Sequence, residues 1–283
     1  MSRGGRLGSR VPRAAQRRRP GPTRDLRRIV LLLSMLLALG ACKKREPRLP
    51  ATRYPKAKLA YRVGNCVFMD LNHMGEPERG RCFGLPGQPM LVGDFDASGT
   101  ADLAVRQGNL LLIDTANDGQ THEATLDLGD VSGASQLIAA DFSGDAAHPH
   151  PAAVAVVRGN QFRFQGPPGA PPELSFGGTP ADEYFAGRWR SGPARLGLRR
   201  GLCVELDEDG DGSPETKLCY DDLHTIDQVL VGDWDGDGRD DLLLRRGACV
   251  FVDKNLDGKH TETQCLGEGK NATDYFAGSW DGK

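Results

Sequence analysis

The chain has 283 residues and a formal net charge of −2, but residues 1–42 hold ten arginines and one acid, so the remainder carries 26 Lys+Arg against 37 Asp+Glu, about −11. A body this acidic is a poor binder of nucleic acid and a reasonable host for hard cations. The roughly 225 residues from position 58 onward are ample for one globular core.

In chain order, the first element is a leader, residues 1–42. Ile29–Ala41 is thirteen residues of almost pure hydrocarbon after Arg27-Arg28. It is too short for a spanning helix, which needs about 20 residues, and it suits a signal-peptide core. Leu39-Gly40-Ala41-Cys42 resembles the lipobox of bacterial lipoproteins. That resemblance implies cleavage before Cys42, lipidation of its thiol and acylation of the new amino group. Acyl chains at about 0.8 kcal/mol per buried methylene would hold the chain on a membrane without a transmembrane helix. The alternatives are an uncleaved anchor or an ordinary signal peptide. The long basic stretch Ser2–Arg28 means either that the start codon is placed too early or that Arg27-Arg28 is a weak twin-arginine signal. Residues 43–57, basic, Pro-rich and without apolar periodicity, read as a disordered tether. Lys43 stands where an Asp retains lipoproteins in the inner membrane of some bacteria, which leans the expectation towards the outer membrane or cell surface of a bacterial envelope.

Residues 58–283 are organised by a repeat. Aligning Gly93-Asp94-Phe95 with Gly232-Asp233-Trp234 recovers Ala140-Asp141-Phe142, Gly187-Arg188-Trp189 and Gly278-Ser279-Trp280, with the aromatic residues spaced 47, 47, 45 and 46 apart. A glycine following an apolar run recurs at 64, 108, 159, 201 and 247. Each repeat reads as four short strands, exemplified by 228–234, 241–247, 248–253 and 262–267, and four strands per 46 residues or so is the signature of a propeller blade. Counting back from the marker glycine, positions −5 and −3 are large and apolar (Leu59/Tyr61, Leu103/Val105, Val154/Val156, Leu196/Leu198, Leu242/Leu244). Position −4 is small in four repeats (Ala60, Ala104, Ala155, Gly197) and Leu243 in the fifth. A period of two with one bulky face suits packing between blades. The first repeat lacks an upstream strand, and Asp274–Lys283 supplies one with nothing after it. The predicted fold is therefore all-β: a five-bladed propeller with a C-terminal strand closing the first blade, which hides the edges of a linear array.

Two families of acidic turn punctuate the repeats. Asp233, Asp235, Asp237 and Asp241, with Gly238, recur as Asp94, Asp96, Ser98 and Asp102, with Gly99. Oxygen ligands at loop positions 1, 3, 5 and 9, with Gly at 6, are how a short loop wraps Ca²⁺. The second family follows the third strand: Asp207, Asp209, Asp211 and Glu215, then Asp253, Asn255, Asp257 and Glu262. Weaker copies are Asp70, Asn72 and Glu78, and Asp114, Asp118 and Glu123. Turn chemistry alone favours Asp and Gly, but it does not require oxygen at alternate positions. Several Ca²⁺ sites are expected. The third repeat keeps Asp141, Ser143 and Asp145 but continues into a His/Pro segment, with His148 and His150 read as loop residues. The fourth puts Arg188, Arg190, Gly192 and Arg195 at the acidic positions, so no cation is expected there.

Six cysteines fall as Cys66/Cys82, Cys203/Cys219 and Cys249/Cys265, each pair sixteen apart and each first member two residues after a marker glycine. The second repeat carries Leu110 and Leu126 at the same spacing. These positions should face each other across adjacent strands, as a disulfide in three blades and an apolar contact in one. Such bonds persist in oxidising compartments, in keeping with export.

The stretch GDWDGDGRDD followed by LLLRRG resembles the bacterial FG-GAP/VCBS-type repeats, relatives of the integrin α-subunit propellers. The resemblance spans about residues 58–283, lacks an intact Phe-Gly…Gly-Ala-Pro, and implies a calcium-binding propeller without naming a ligand. The expected function is a membrane-anchored, extracytoplasmic binding or scaffold module for an envelope protein or a glycan. Arg62, Arg106, Arg199 and Arg245, all two residues before a marker glycine, would ring the axis, either paired with aspartates or open to an anion. The rival reading is a carbohydrate-active enzyme, a lyase or hydrolase working in the channel. No G-x-S-x-G, H-E-x-x-H or P-loop occurs, and no catalytic residue is named. A third reading is a structural envelope lipoprotein with no discrete ligand.

Overall fold

Apolar runs that end on a left-handed glycine fold as hairpins: Gly64, Gly108, Gly159, Gly201 and Gly247 have φ of 66°, 66°, 62°, 60° and 62°. A residue with a Cβ would be strained there by about 1–2 kcal/mol. The structure, a computed structural model, describes residues 54–144, 147–169, 171–267 and 271–282. The leader, Cys42 and the tether up to residue 53 lie outside the described residues, as does Asp145.

Each hairpin lies within a four-stranded antiparallel sheet. From axis to periphery, the first blade is β20 (Asp274–Gly278), β1 (Lys58–Val63), β2 (Cys66–Met69) and β3 (Arg79–Cys82). The second is β4 (Met90–Gly93), β5 (Asp102–Gln107), β6 (Leu110–Asp114) and β7 (Ala124–Asp127). The third is β8 (Gln136–Ala140), β9 (Ala153–Arg158), β10 (Gln161–Gln165) and β11 (Leu174–Ser175). The fourth is β12 (Glu183–Gly187), β13 (Arg195–Arg200), β14 (Cys203–Leu206) and β15 (Thr216–Cys219), followed by a 3-10 turn at Asp221–Leu223. The fifth is β16 (Gln228–Gly232), β17 (Asp241–Arg246), β18 (Cys249–Asp253) and β19 (Glu262–Cys265). The last strand of the chain does complete the first blade: Ala60 pairs with Phe276 and Lys58 with Gly278. No helix among the described residues is long and apolar enough to cross a membrane.

The inner strands β20, β4, β8, β12 and β16 pack on one another around the whole ring. Closure is also written in the backbone. The amides of Ala57, Ala101, Ala152, Ala194 and Asp240 donate to the carbonyls of Asp233, Ser279, Asp94, Asp141 and Arg188 in the neighbouring blade, at 2.6, 2.7, 2.8, 2.8 and 2.9 Å. These five bonds sit at equivalent places and leave no seam unjoined.

The hydrophobic core is accordingly divided into five seams. The −5 and −3 side chains of each second strand face the preceding blade, and the −4 residue faces the next. Leu103 and Val105 pack with Val67 and Met69, whereas Ala104 packs with Val154 and Val156. Gly197 is glycine at −4 because Phe185 lies across it; a Cβ there would be 2.2 Å from the ring. One repeated aromatic fills each seam: Phe95, Phe142, Trp189, Trp234 and Trp280. Leu59, Leu103, Val154, Leu198 and Leu242 are fully buried, each worth about 1.5–3 kcal/mol against exposure.

All three cysteine pairs are disulfides, joining residues directly opposite across the two outer strands. The expected Leu110–Leu126 contact is not formed. Leu111 faces Leu126 instead, and Leu110 faces Asp127. The turn between β6 and β7 is one residue longer than its counterparts: Ile113 pairs with Ala124, whereas Met69 pairs with Arg79 and Leu206 with Thr216. The extra residue slides the outer strand by one place, which puts Leu110 out to solvent and Leu126 against the core.

Candidate functional site

Strand direction gathers both families of acidic turn on one rim. Each second strand runs antiparallel to the inner and to the third strand, so the turn leaving the inner strand and the turn joining third to fourth strand open at the same end. The marker-glycine hairpins open at the other. The turns beginning at Asp70, Asp94, Asp114, Asp207, Asp233 and Asp253 share one backbone course. Their fourth residues (His73, Ala97, Asn117, Gly210, Gly236, Leu256) and sixth residues (Gly75, Gly99, Gly119, Gly212, Gly238, Gly258) all have positive φ. In each, the first Asp accepts the backbone amide of the sixth residue, at 2.7–3.0 Å.

In the inner-strand turns, oxygens of Asp233, Asp235 and Asp241 lie within 4.8 Å of one another, as do those of Asp94, Asp96 and Asp102. The two buried members are tied down: Asp241 accepts the Trp234 amide at 2.7 Å, and Asp102 the Phe95 amide at 2.8 Å. Burial pushes the Asp241 carboxyl up to about 9, with Asp235, Asp233 and Asp240 adding repulsion. Burial likewise lifts Asp102 to about 7, and Asp94 and Asp233 to about 6. The fifth-position residues make local hydrogen bonds. Asp237 accepts the Arg239 amide, and the Ser98 hydroxyl bonds Thr100. Beside Asp102, the Asn117 amide donates at 2.9 Å, and its carbonyl oxygen is buried without a partner.

In the outer turns, Asp207, Asp209, Asp211 and Glu215 bring four carboxylates together. Asp114, Asp118 and Glu123, a weaker copy by sequence, bring three. The turn at Asp253 assembles differently from the sequence reading. Glu262 lies in β19 opposite Val252, accepts from Trp234 Nε1 at 3.2 Å and pairs with Lys254 at 2.5 Å. The place equivalent to Glu215 belongs to Thr261, whose amide bonds the Val252 carbonyl as that of Glu215 bonds Leu206. Asp253 instead accepts the buried Tyr220 hydroxyl at 2.8 Å, and Asp70 accepts Gln264 Nε2 at 2.5 Å from the neighbouring blade. Protein donors thus take over part of the carboxylate in these two turns.

In the repeats that lost the pattern, Asp141 accepts the amides of Ser143, Gly144 and His150 and, at 3.3 Å, Nη2 of Arg188. The His150 ring is 3.0 Å from Ser143 Oγ. The Arg188 amide donates in turn to Asp240 at 2.7 Å. A guanidinium from the fourth blade therefore stands among acids of the third and fifth.

Residues 54–57 enter the first blade across this rim. Ala57 bonds the Asp233 carbonyl, and the Tyr54 ring is so close to Gly238 that a Cβ there would lie 2.6 Å from it.

The opposite end carries the four arginines. Each donates to the carbonyl of its marker glycine: Arg62 to Gly64 at 2.7 Å, Arg106 to Gly108 at 2.8 Å, Arg199 to Gly201 at 3.2 Å and Arg245 to Gly247 at 2.9 Å. Their remaining partners differ. Arg62 meets Asp274 at 3.4 Å and the Gln88 carbonyl at 2.7 Å. Arg199 meets Glu183 at 3.0 Å, and Arg245 lies 4.1 Å from the centre of the Tyr275 ring. Three first residues of inner strands clasp the next blade: Gln136 bonds both polar groups of the Tyr184 backbone, Glu183 accepts the Val229 amide, and Gln228 donates to the Tyr275 carbonyl.

No protein-family model and no curated protein matches the chain. Among solved structures, an Agrocybe aegerita lectin that recognises non-reducing terminal N-acetylglucosamine is similar at 13% identity, with 77% of this chain and 78% of that chain covered and a TM-score of 0.41. The Photorhabdus luminescens Tc holotoxin pore is similar at 16% identity, with 82% of this chain but 12% of that chain covered and a TM-score of 0.40.

Proposed function

We propose that the chain is a calcium-binding propeller of the FG-GAP/VCBS type, lipid-anchored through Cys42 in a bacterial envelope, and that it serves as a binding or scaffold module for a protein or glycan. The observation that carries this reading is the convergence of carboxylates in four turns on one rim. Their donors are all oxygen, a hard set that suits Ca²⁺ rather than the metals favoured by thiolate or imidazole. Asp207, Asp209, Asp211 and Glu215 would hold one ion; Asp233, Asp235 and Asp241 a second; Asp94, Asp96 and Asp102 a third; Asp114, Asp118 and Glu123 a fourth. The buried Asn117 oxygen beside Asp102 is an acceptor with nothing to accept from, an arrangement that a cation completes. The ions supply rigidity, because they neutralise acids whose mutual repulsion would otherwise push the turns open.

Thermal melting of the full chain in millimolar calcium and in millimolar EGTA tests the cation reading, which equal melting temperatures would overturn. Radiolabelled palmitate, incorporated by the wild type and not by Cys42→Ser, tests the anchor.

A further inference from the structure

The four arginines are equivalent by sequence and inequivalent in the folded protein. At Arg62 and Arg199 the first residue of the adjoining inner strand or its neighbour supplies an acid, Asp274 or Glu183, and at Arg245 the Tyr275 ring covers the guanidinium. In the second blade the corresponding residue is Pro89, which offers Arg106 its carbonyl for a backbone bond and no carboxylate. Among the described residues, no carboxylate lies within ion-pairing distance of Arg106. Its Nε is fixed on the Gly108 carbonyl at 2.8 Å, so the guanidinium is oriented while its two terminal nitrogens carry no acceptor among the described residues.

Arg106 lines a cavity of about 520 Å³, which opens between the first three blades where the clasps made by Gln136, Glu183 and Gln228 have no counterpart at Pro89. Pro89, Met90, Leu91 and Leu137 give it an apolar wall. The lining also includes Asp274, held by Arg62 and by the Thr273 hydroxyl at 3.1 Å, with its side chain 45% exposed. A pre-oriented guanidinium matches a carboxylate in two parallel hydrogen bonds. A fixed carboxylate accepts only from donors such as hydroxyls, and an apolar wall suits the C–H face of a ring. The volume falls within the range of pockets for small ligands.

We infer that this cavity is a binding site for a sugar acid, a uronic acid residue, whose carboxylate docks on Arg106 and whose hydroxyls donate to Asp274. The inference rests on the reading of the chain as a binding module and narrows its ligand. Two variants separate the site from mere folding. Arg106→Gln removes the fork. Pro89→Glu leaves Arg106 in place and gives it the partner that Glu183 gives Arg199.

Calorimetric titration of the full chain in calcium, with glucuronate and galacturonate and their disaccharides as probes, and with glucose and sulfate as controls, reads the outcome. The wild type binds at least one sugar acid and not glucose, and both variants weaken it on the order of tenfold or more, with melting temperatures unchanged for Pro89→Glu. No heat with any sugar acid overturns the site, as does binding that both variants retain. Sulfate bound as tightly as glucuronate identifies a plain anion hole and overturns the sugar-acid assignment. If the wild type ignores every sugar acid while the calcium-dependent melting stands, the site alone is removed.

Discussion

Gly119 rests on the carbonyl oxygen of Cys82 in the preceding blade, so closely that a Cβ would lie 2.7 Å away. The same contact recurs between Gly75 and Cys265, at 2.5 Å, and between Gly212 and Ser175, at 2.5 Å. Three of the four acidic outer turns therefore lean on the outermost strand of the neighbouring blade, and in two of these three seams the residue beneath is a disulfide cysteine. The fourth, at Gly258, stands farther off, where a Cβ would lie 3.8 Å from the Cys219 oxygen. Gly119→Ala should destabilise by more than Gly64→Ala. Both glycines are left-handed, at 74° and 66°, but Gly64 has nothing within 4 Å of the added methyl. The control loses about 1–2 kcal/mol from backbone strain alone. Urea unfolding of the two variants side by side checks the order.

Ala97 offers the converse test. It occupies the left-handed fourth position of its turn, with φ of 60°, where the turns at Asp207 and Asp233 have Gly210 and Gly236. Ala97→Gly should stabilise the protein by about 1 kcal/mol, the relief of strain outweighing the entropy of the unfolded glycine. A denaturation midpoint equal to or below that of the wild type contradicts it.

The pH dependence should reverse when calcium is removed. In the metal-free protein the Asp241 and Asp102 carboxyls titrate near 9 and near 7, well above the usual value of about 3.9. Folding then favours their protonated forms. The stability linked to them is complete below about pH 4 and is lost as pH rises through 7 and 9. Calcium competes with those protons, so the rise in melting temperature on adding it should grow between pH 6 and pH 9. A calcium increment that is flat across that range counts against inner-strand turns as the sites.

Reducing or replacing the Cys66–Cys82 disulfide should cost about 3 kcal/mol, as expected for a loop of this size. Because Gly119 leans on Cys82, the change should also weaken any calcium binding by Asp114, Asp118 and Glu123. Calcium titration of Cys66→Ala/Cys82→Ala reads both effects. Unchanged binding stoichiometry and affinity would dissociate the disulfide from the turn.

Arg188→Gln should destabilise by about 2 kcal/mol, because it takes a charged donor from Asp141, whose side chain is 12% exposed and keeps three backbone amides. Burial already raises the Asp240 carboxyl and Arg188 opposes that rise, so the loss should be greater at pH 8 than at pH 5. Chemical denaturation at the two pH values decides.

The architecture was legible in the sequence wherever each repeat had to solve the same packing problem. One aromatic per repeat is needed because one fills each seam, and bulky −5 and −3 residues recur because one face of every second strand meets the preceding blade. Directly opposed cysteines kept a spacing of sixteen because the turn between them holds its length. Where that length changed, spacing misled: one added residue moved Leu126 from Leu110 to Leu111. Glu262 sat at a plausible offset from Asp253, yet a strand position turns its side chain towards Trp234 and Lys254. What separates Arg106 from its three counterparts lies across the sheet at Pro89, Asp274, Glu183 and Tyr275, and alignment of the arginines alone does not reveal it. The Asp141–Arg188 exchange joins residues of different blades, and only the ring brings them together.

The entry of residues 54–57 has a mechanical corollary. Ala57 is hydrogen-bonded to the first residue of the Asp233 turn, and Tyr54 is wedged against Gly238 within it. Force applied at Tyr54 would reach that turn before any sheet, and would be resisted there by whatever holds Asp233 and Asp241 together. That rim is the end of the ring opposite the marker-glycine hairpins and Arg106.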